Sequence, residues 1–334
     1  MRLIVDTQGT QLRKEGERLL IHRQGEAAEH DESVPLNILE QVVLSGKGVS
    51  ATTPLLFDLV QRGIDVVFQS QHERFGFRLV GPHSKHSALR VRQIQVCTTP
   101  AAALALARPM IAGKLHNQAI LLGHYRDTLG GRGQMALRAL VEQQTRAAQA
   151  PDAEALRGHE GSGAAAYFAA LPELFDAAAW GFHGRAYYPP PDPVNALLSL
   201  GYTLLLNDIV SALYRLGLDP MVGVFHALDY GRPSLALDLE EEFRPVIVDL
   251  LVLRLLRQQL LTPGDFSTQA GRCTLSDDAR RFFIAQYEER LTVQVRHPAW
   301  QQQLTYRQCL QRQAEHLARC ILGRDAAYTP LLIG

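Results

Sequence analysis

The sequence predicts an α+β fold in which a small N-terminal β-rich domain, residues 1–83, precedes a larger all-α domain, residues 88–334. Two observations carry this. Short apolar runs fill the first ~80 residues, at Leu3–Val5, Leu19–Ile21, Val42–Leu44, Val66–Phe68 and Phe75–Val80, each bounded by Gly, Asp, Glu or Gln. Long apolar stretches with capping residues follow, broken from the first part by the turn-forming segment Gly81-Pro-His-Ser-Lys-His-Ser87. Among the strands one helix is expected over 52–63, with Thr53 as its cap, Pro54 at its first position and Gly63 at its end. Later, Asp192 and Pro193 open a helix whose apolar residues Ala196, Leu197, Leu200, Leu204 and Ile209 share a face, and Gly217 closes it. A second helix starts at Ser234 and is interrupted at Pro245. Its continuation, Val246–Leu256, is apolar nearly all round and reads as core. Two more helices are expected from Ser276 to near His297 and from Pro298 to near Gly323.

With 46% hydrophobic and 20% charged residues, the 334-residue chain is no disordered segment. No uninterrupted apolar run reaches the ~18 residues needed to cross a bilayer, so no membrane association is expected. Met1-Arg-Leu-Ile-Val-Asp6 lacks the apolar stretch of a signal peptide. Cys97, Cys273, Cys309 and Cys320 form no C-x-x-C pair, which argues against a zinc ribbon or iron–sulfur cluster and points to buried thiols in a reducing cytoplasm.

The 34 Lys and Arg balance the 34 Asp and Glu, yet the neutrality does not survive division. Residues 1–59 carry a net −3, 60–150 a net +8, 151–250 a net −9 and 251–334 a net +4. Thirty of the cations are arginines, which fork onto phosphate oxygens as lysine cannot. A genome rich in GC would also favour arginine, but it does not concentrate acid in the middle. An acidic centre between basic flanks is what a metal-dependent phosphodiester enzyme requires.

Several short motifs fail on inspection. Ser45-Gly-Lys-Gly48 lacks the Ser or Thr after its lysine, Gly130-Gly-Arg-Gly133 has no preceding strand, and His159-Glu160 finds Gly163 where H-E-x-x-H needs histidine. His83 and His86 read as a solvated pair. Residues 221–245 differ. His226 precedes a Tyr-Gly-Arg-Pro turn, and the helix from Ser234 places Asp238 and Glu241 one turn apart on one face, amid Glu240 and Glu242. Spacing leaves two readings open: a solvated helix start whose acids favour the positive dipole end, or a histidine–carboxylate site for Mg²⁺ or Mn²⁺. Glu160, set among Gly158, Gly161 and Gly163, is a second acidic element where another helix or a backbone can approach closely.

Five blocks in order resemble the CRISPR-associated adaptation integrase family, Cas-one. Lys114-Leu-His-Asn-Gln118 is similar to its K-x-x-N-Q signature, and Arg157–Ala164 to the segment bearing its first metal-binding glutamate. Gly184–Ser199 is similar to its R-x-x-P-P-x-D-P-x-N-A-L-L-S block. His226 with 231–245 resembles its second and third metal segments, and Tyr306-Arg307 with Tyr328-Thr-Pro330 its tail. The segment Gly25–Ser33 is longer and more acidic than the family pattern. The resemblance implies a catalytic Mg²⁺ or Mn²⁺ site of Glu160, His226 and Glu241, with Asp238 supporting it. It implies a metal-dependent DNA endonuclease and integrase that inserts protospacer DNA into the repeat array by 3′-hydroxyl attack on a phosphodiester. Its partners would be double-stranded DNA, a second copy joined through the β-rich domains, and a companion Cas-two dimer. Lys114, Arg185, Arg232 and Arg244, with Arg132, Arg138 and Arg254, are candidates to hold the DNA backbone. Length and cysteine spacing lead us to expect no fused iron–sulfur nuclease. Two rival readings are a nuclease on branched DNA that does not integrate and a non-enzymatic DNA-bridging scaffold.

Overall fold

The computed structural model describes residues 1–23, 31–45, 48–69, 75–81, 86–186 and 188–334. Most of the acidic segment 25–33, Gly46 and Lys47 of the dismissed loop, and His83 within the expected break lie outside these residues. The chain forms two compact units, Met1–Ser87 and Ala88–Gly334.

The first unit holds two four-stranded sheets. β1 (Arg2–Val5), β5 (Gln41–Ser45), β7 (Asp65–Gln69) and β8 (Phe75–Leu79) lie in that order, parallel except for the last pair. The second sheet runs β4 (Glu32–Pro35), β3 (Arg18–His22), β2 (Gln11–Glu15), β6 (Ser50–Ala51). Parallel β5 and β7 need a crossover, and α1 (Thr53–Gln61) supplies it. Val42, Val66, Leu12, Leu19, Leu55 and Leu59 are buried together beneath it. The cap of α1 is Thr52, with extended backbone, and Thr53 is already helical, so the cap falls one residue before the expected one. β2, β4 and β6 were not anticipated. Leu12 is the sole apolar residue of Gln-Leu-Arg-Lys-Glu, so β2 offers no apolar run to read.

The second unit is helical: α2 (Ser87–Thr98), α3 (Pro100–His124), α4 (Gly131–Ala148), α5 (Ala153–Ala170), α6 (Pro193–Leu216), α7 (Ser234–Glu240), α8 (Leu250–Arg257), α9 (Asp277–Thr292) and α10 (Tyr306–Ile321). It adds two short hairpins, β9 (Phe266–Gln269) with β10 (Arg272–Leu275), and β11 (Gln294–Arg296) with β12 (Gln303–Thr305). The second hairpin corrects the helix expected from Pro298: that stretch forms the turn, and α10 begins at Tyr306, capped by Thr305 in a capping box with Gln308. Asp192 caps α6 by accepting from Asn195 N at 2.9 Å, and Gly217 ends it with φ 80°. α6 is long and apolar enough to cross a membrane, against the expectation from uninterrupted runs, but 72% of its apolar window is buried inside the unit, as in a core helix.

Three features bring the functional residues together. Gly163 lets α5 press against α3: a Cβ there would lie 2.2 Å from Leu115 Cδ2. Pro245, unable to donate a backbone hydrogen bond, sits in a π-helical turn over Arg244–Asp249 that links α7 to α8. Gly223 allows the segment before His226 to cross the start of α7, since a Cβ there would meet Asp238 Oδ2 at 2.5 Å.

Candidate active site

α3, α5, α7 and the segment before it deliver Lys114, Glu160, Glu241 and His226 to one cavity of about 700 Å³, which Arg157, Arg185, Arg232 and Asp249 also line. Asp238 is the anchor. Its Oδ2 accepts from Val224 N at 2.6 Å and Phe225 N at 3.1 Å, and its Oδ1 from His226 N at 2.8 Å. Oδ1 also meets His226 Nδ1 at 2.7 Å. With its oxygens engaged in this way, Asp238 acts on the imidazole: it occupies Nδ1 and turns Nε2 towards Glu241 Oε1, 3.7 Å away.

Glu241 is 3% exposed, so its charge depends on its neighbours. Burial alone would raise its pKa; Arg244, Lys114 and His226 outweigh that and hold it at about 2. Arg244 Nη1 donates to Glu241 Oε1 at 2.9 Å, and its Nη2 to Glu240 Oε2 at 2.6 Å. Glu240, with burial uppermost and only Arg244 beside it as a full opposing charge, is pushed up to about 7. Lys114 Nζ lies 2.6 Å from Glu241 Oε2 and 2.5 Å from Glu160 Oε1, and these two carboxylates raise its pKa against its burial. The ammonium thus bridges Glu160 and Glu241.

This geometry redirects two of the expected backbone-binding cations. Lys114 is 5% exposed and Arg244 is tied to two glutamates and packed 4.8 Å above the Tyr202 ring, so both neutralise the acidic cluster. Arg185 is held by Asn195 Oδ1 at 2.8 Å and Ser199 Oγ at 3.3 Å and lines the cavity wall, while Arg232 stands half-buried at its edge. The acidic helix is no solvated start: Asp238, Glu240, Glu241 and Glu242 are all buried.

One cavity residue was missed. Asp249, inside the run read as pure core, accepts from Tyr202 OH at 2.6 Å and Tyr167 OH at 2.9 Å, and burial pushes it up to about 6. A lone acid within an apolar helix was the available signal. Elsewhere, ligand atoms of His316, Cys320 and Asp325 lie within 4.8 Å of one another. They are already engaged: His316 Nδ1 meets Asp325 at 2.9 Å, its Nε2 accepts from Thr329 N at 3.0 Å, and Asp325 pairs with Arg319. That cluster fastens the following tail.

A helical unit with a histidine and two glutamates converging in an arginine-lined cavity, preceded by a β-rich unit, defines the architectural class. The family model described as CRISPR associated protein Cas1 matches residues 3–289. The chain belongs to this family. It is 37% identical to a CRISPR-associated endonuclease Cas1 of Chlorobaculum tepidum, over 99% of this chain and 97% of the relative. It is 38% identical to a Cas4 exonuclease/Cas1 endonuclease fusion of Rhodospirillum rubrum over 96% of this chain, and spans only 56% of that fusion. A Cas1 protein of Thermotoga maritima shares the fold at a TM-score of 0.79 with 20% identity, covering 100% of this chain and 99% of that one. A casposase bound to integration product aligns at 0.83 with 19% identity, covering 98% and 92%. A Cas1 region within a Cas6–reverse transcriptase–Cas1–Cas2 complex aligns at 0.79 with 22% identity, covering 99% of this chain and 36% of the other.

Proposed function

We propose that the chain is a metal-dependent DNA endonuclease and integrase of CRISPR adaptation, which joins a 3′-hydroxyl of protospacer DNA to a phosphodiester of the repeat array. The observation that carries the reading is the Lys114 ammonium held between Glu160 and Glu241, with His226 Nε2 3.7 Å from Glu241 Oε1. Two carboxylates that share a cation, with an imidazole nitrogen beside one of them, form a donor set suited to Mg²⁺ or Mn²⁺, in which the ion would take the place of the Lys114 ammonium on Glu241 Oε2. When bound there, the ion would polarise the scissile phosphate and lower the pKa of the attacking hydroxyl.

The chain's own residues do the rest. Asp238 fixes the imidazole so that Nε2, and not Nδ1, faces the reacting centre. Arg244 keeps Glu241 ionised. Arg157, Arg185 and Arg232 supply positive charge at the cavity wall for the strand's phosphates. The likeness to a casposase on its integration product and to a Cas1–Cas2 assembly supports DNA and Cas2 as partners, which on this reading are a duplex and a dimer. Pairing of two copies through the β-rich unit completes the reading. The test is an assay with a 3′-hydroxyl donor and a repeat-bearing target in Mn²⁺. Joined products support the integrase; cleavage without joining supports a nuclease; neither, with DNA still bound, leaves a scaffold.

A further inference from the structure

A second cavity, of about 310 Å³, opens on the second unit and shares no lining residue with the acidic one. Its wall is cationic: Arg254 and Arg257 from the last turn of α8, Arg290 from the last turn of α9, with Tyr125, Leu250, Leu251 and Gln258 between them. No carboxylate lines it among the described residues. Each guanidinium is held by neutral groups. Arg254 donates to Gln286 Oε1 at 3.0 Å; Arg257 donates to Leu174 O at 2.6 Å and lies 4.7 Å over the Tyr125 ring. Arg290 donates to Val246 O at 2.6 Å and to Tyr306 OH at 3.1 Å.

Charge arithmetic separates this from ordinary helix-end decoration. Basic residues in a last turn offset the negative end of the helix dipole, on the order of half a charge per helix. Two such ends leave roughly two of the three positive charges uncompensated. Burial, and to a lesser degree the neighbouring Arg254, lower the pKa of Arg290, with Tyr306 opposing them. Arg244 in the acidic cavity differs, since it pairs with two glutamates. Two guanidiniums braced by aromatic rings and backbone carbonyls, with the exposed Arg254 beside them, suit a phosphate group.

We propose that Arg254, Arg257 and Arg290 form a second anion site that grips a phosphodiester of the DNA backbone at a distance from the reacting phosphate. The inference rests on the DNA reading above. Arg254 and Arg257 are exposed at the end of α8, beyond the mostly buried run 245–253, so a strand reaches them from the surface of the unit and not along the helix.

The experiment measures the affinity of the full chain for duplex DNA across a salt series. Wild type is compared with Arg254→Gln, Arg254→Gln/Arg257→Gln, and a control, Arg146→Gln, whose arginine is paired with Glu142. The expected result is a slope of log affinity against log salt that falls by about 0.9 for each phosphate no longer neutralised, with the control unchanged and melting temperatures close to wild type. Arg254 is exposed and makes a single side-chain hydrogen bond, so its variant carries the test if the double variant folds poorly. Wild type that binds DNA with Arg254→Gln matching it in affinity and slope overturns the site and leaves the DNA reading standing. Wild type that binds no DNA overturns both.

Discussion

Lys114 Nζ and Glu241 Oε2 are 2.6 Å apart in a site where Lys114 also touches Glu160 and neither partner of the pair is more than 5% exposed. The lysine therefore holds the two glutamates together when no other cation does. Replacing it by methionine removes the charge and keeps the length. Breaking a buried pair from one side costs about 3–5 kcal/mol, so Lys114→Met should melt well below wild type in EDTA. Mn²⁺ should then raise the melting temperature of the variant more than that of wild type, because the ion no longer competes with an ammonium. Equal Mn²⁺ shifts in the two proteins would show that the ion binds elsewhere.

Glu160 and Glu241 on that ammonium, and His226 beside Glu241, should be separable in function, Glu241→Gln at a cost in stability because it leaves Lys114 and Arg244 beside a neutral amide. Glu160→Gln, Glu241→Gln and His226→Ala should each abolish Mn²⁺-dependent strand transfer while DNA affinity stays within a few-fold of wild type. Any one of them that retains full activity leaves the site. Glu160 is the cleanest of the three, being 24% exposed and bonded through its side chain to Lys114.

Asp238 should behave differently from its neighbours. Its carboxylate accepts three backbone N–H groups and faces His226 Nδ1, so Asp238→Asn turns an amide NH₂ towards donors. Hydrogen bonds to a charged group contribute about 1.5–3 kcal/mol each. The variant should lose several kcal/mol in urea unfolding together with its activity. Loss of activity at unchanged stability would make Asp238 a direct ligand instead of a brace for the imidazole.

These roles show what local sequence carries and what it does not. Five of the eight strands of the first unit, α1 and the bounds of α6 followed from apolar runs, caps and breakers, because residues such as Thr52, Asp192 and Gly217 act within one turn of themselves. The acidic cluster was visible as composition and spacing. The roles of Lys114 and Arg244 were not, since a basic residue reads the same whether it faces a phosphate or a glutamate brought from another helix. Glu160 reaches Lys114 only because Gly163 on α5 meets Leu115 on α3, a meeting of residues 48 positions apart. β11 and β12 were read as helix because their three-residue strands carry too little pattern against the strong helix behind them.

That close approach makes a stability prediction. A Cβ at Gly163 would lie 2.2 Å from Leu115 Cδ2 and 3.6 Å from Leu140 Cδ2, in a packed core that must shift to admit it. Overpacking of this kind costs about 1–3 kcal/mol. Gly163→Ala should lower the melting temperature and reduce activity by moving Glu160 away from Glu241. At Gly161, which has open space, the same substitution should do neither. Comparing the two by melting and by strand transfer separates packing from helix propensity, which favours alanine at both.

The pH dependence of stability should run against the usual direction for an acid. Glu242 is buried and accepts from Gln313 Nε2 at 2.8 Å, Tyr328 OH at 2.9 Å and Leu331 N at 3.1 Å. Burial outweighs these donors and pushes it from its ordinary value near 4.5 up to about 8. The folded protein therefore keeps a proton that the unfolded chain releases. Its stabilising contribution is complete below about pH 4.5 and is lost as pH rises towards 8, since stability falls with pH wherever the folded state binds more protons. Glu240, raised to about 7, adds to the fall over the lower part of that window. Glu242→Gln has no proton to lose, so its unfolding free energy should decline less steeply between about pH 5 and 8 than that of wild type. Urea titrations at closely spaced pH values measure this directly. Parallel curves for the two proteins would mean that Glu242 is ionised throughout, held by its three donors as an anion that fastens the C-terminal tail.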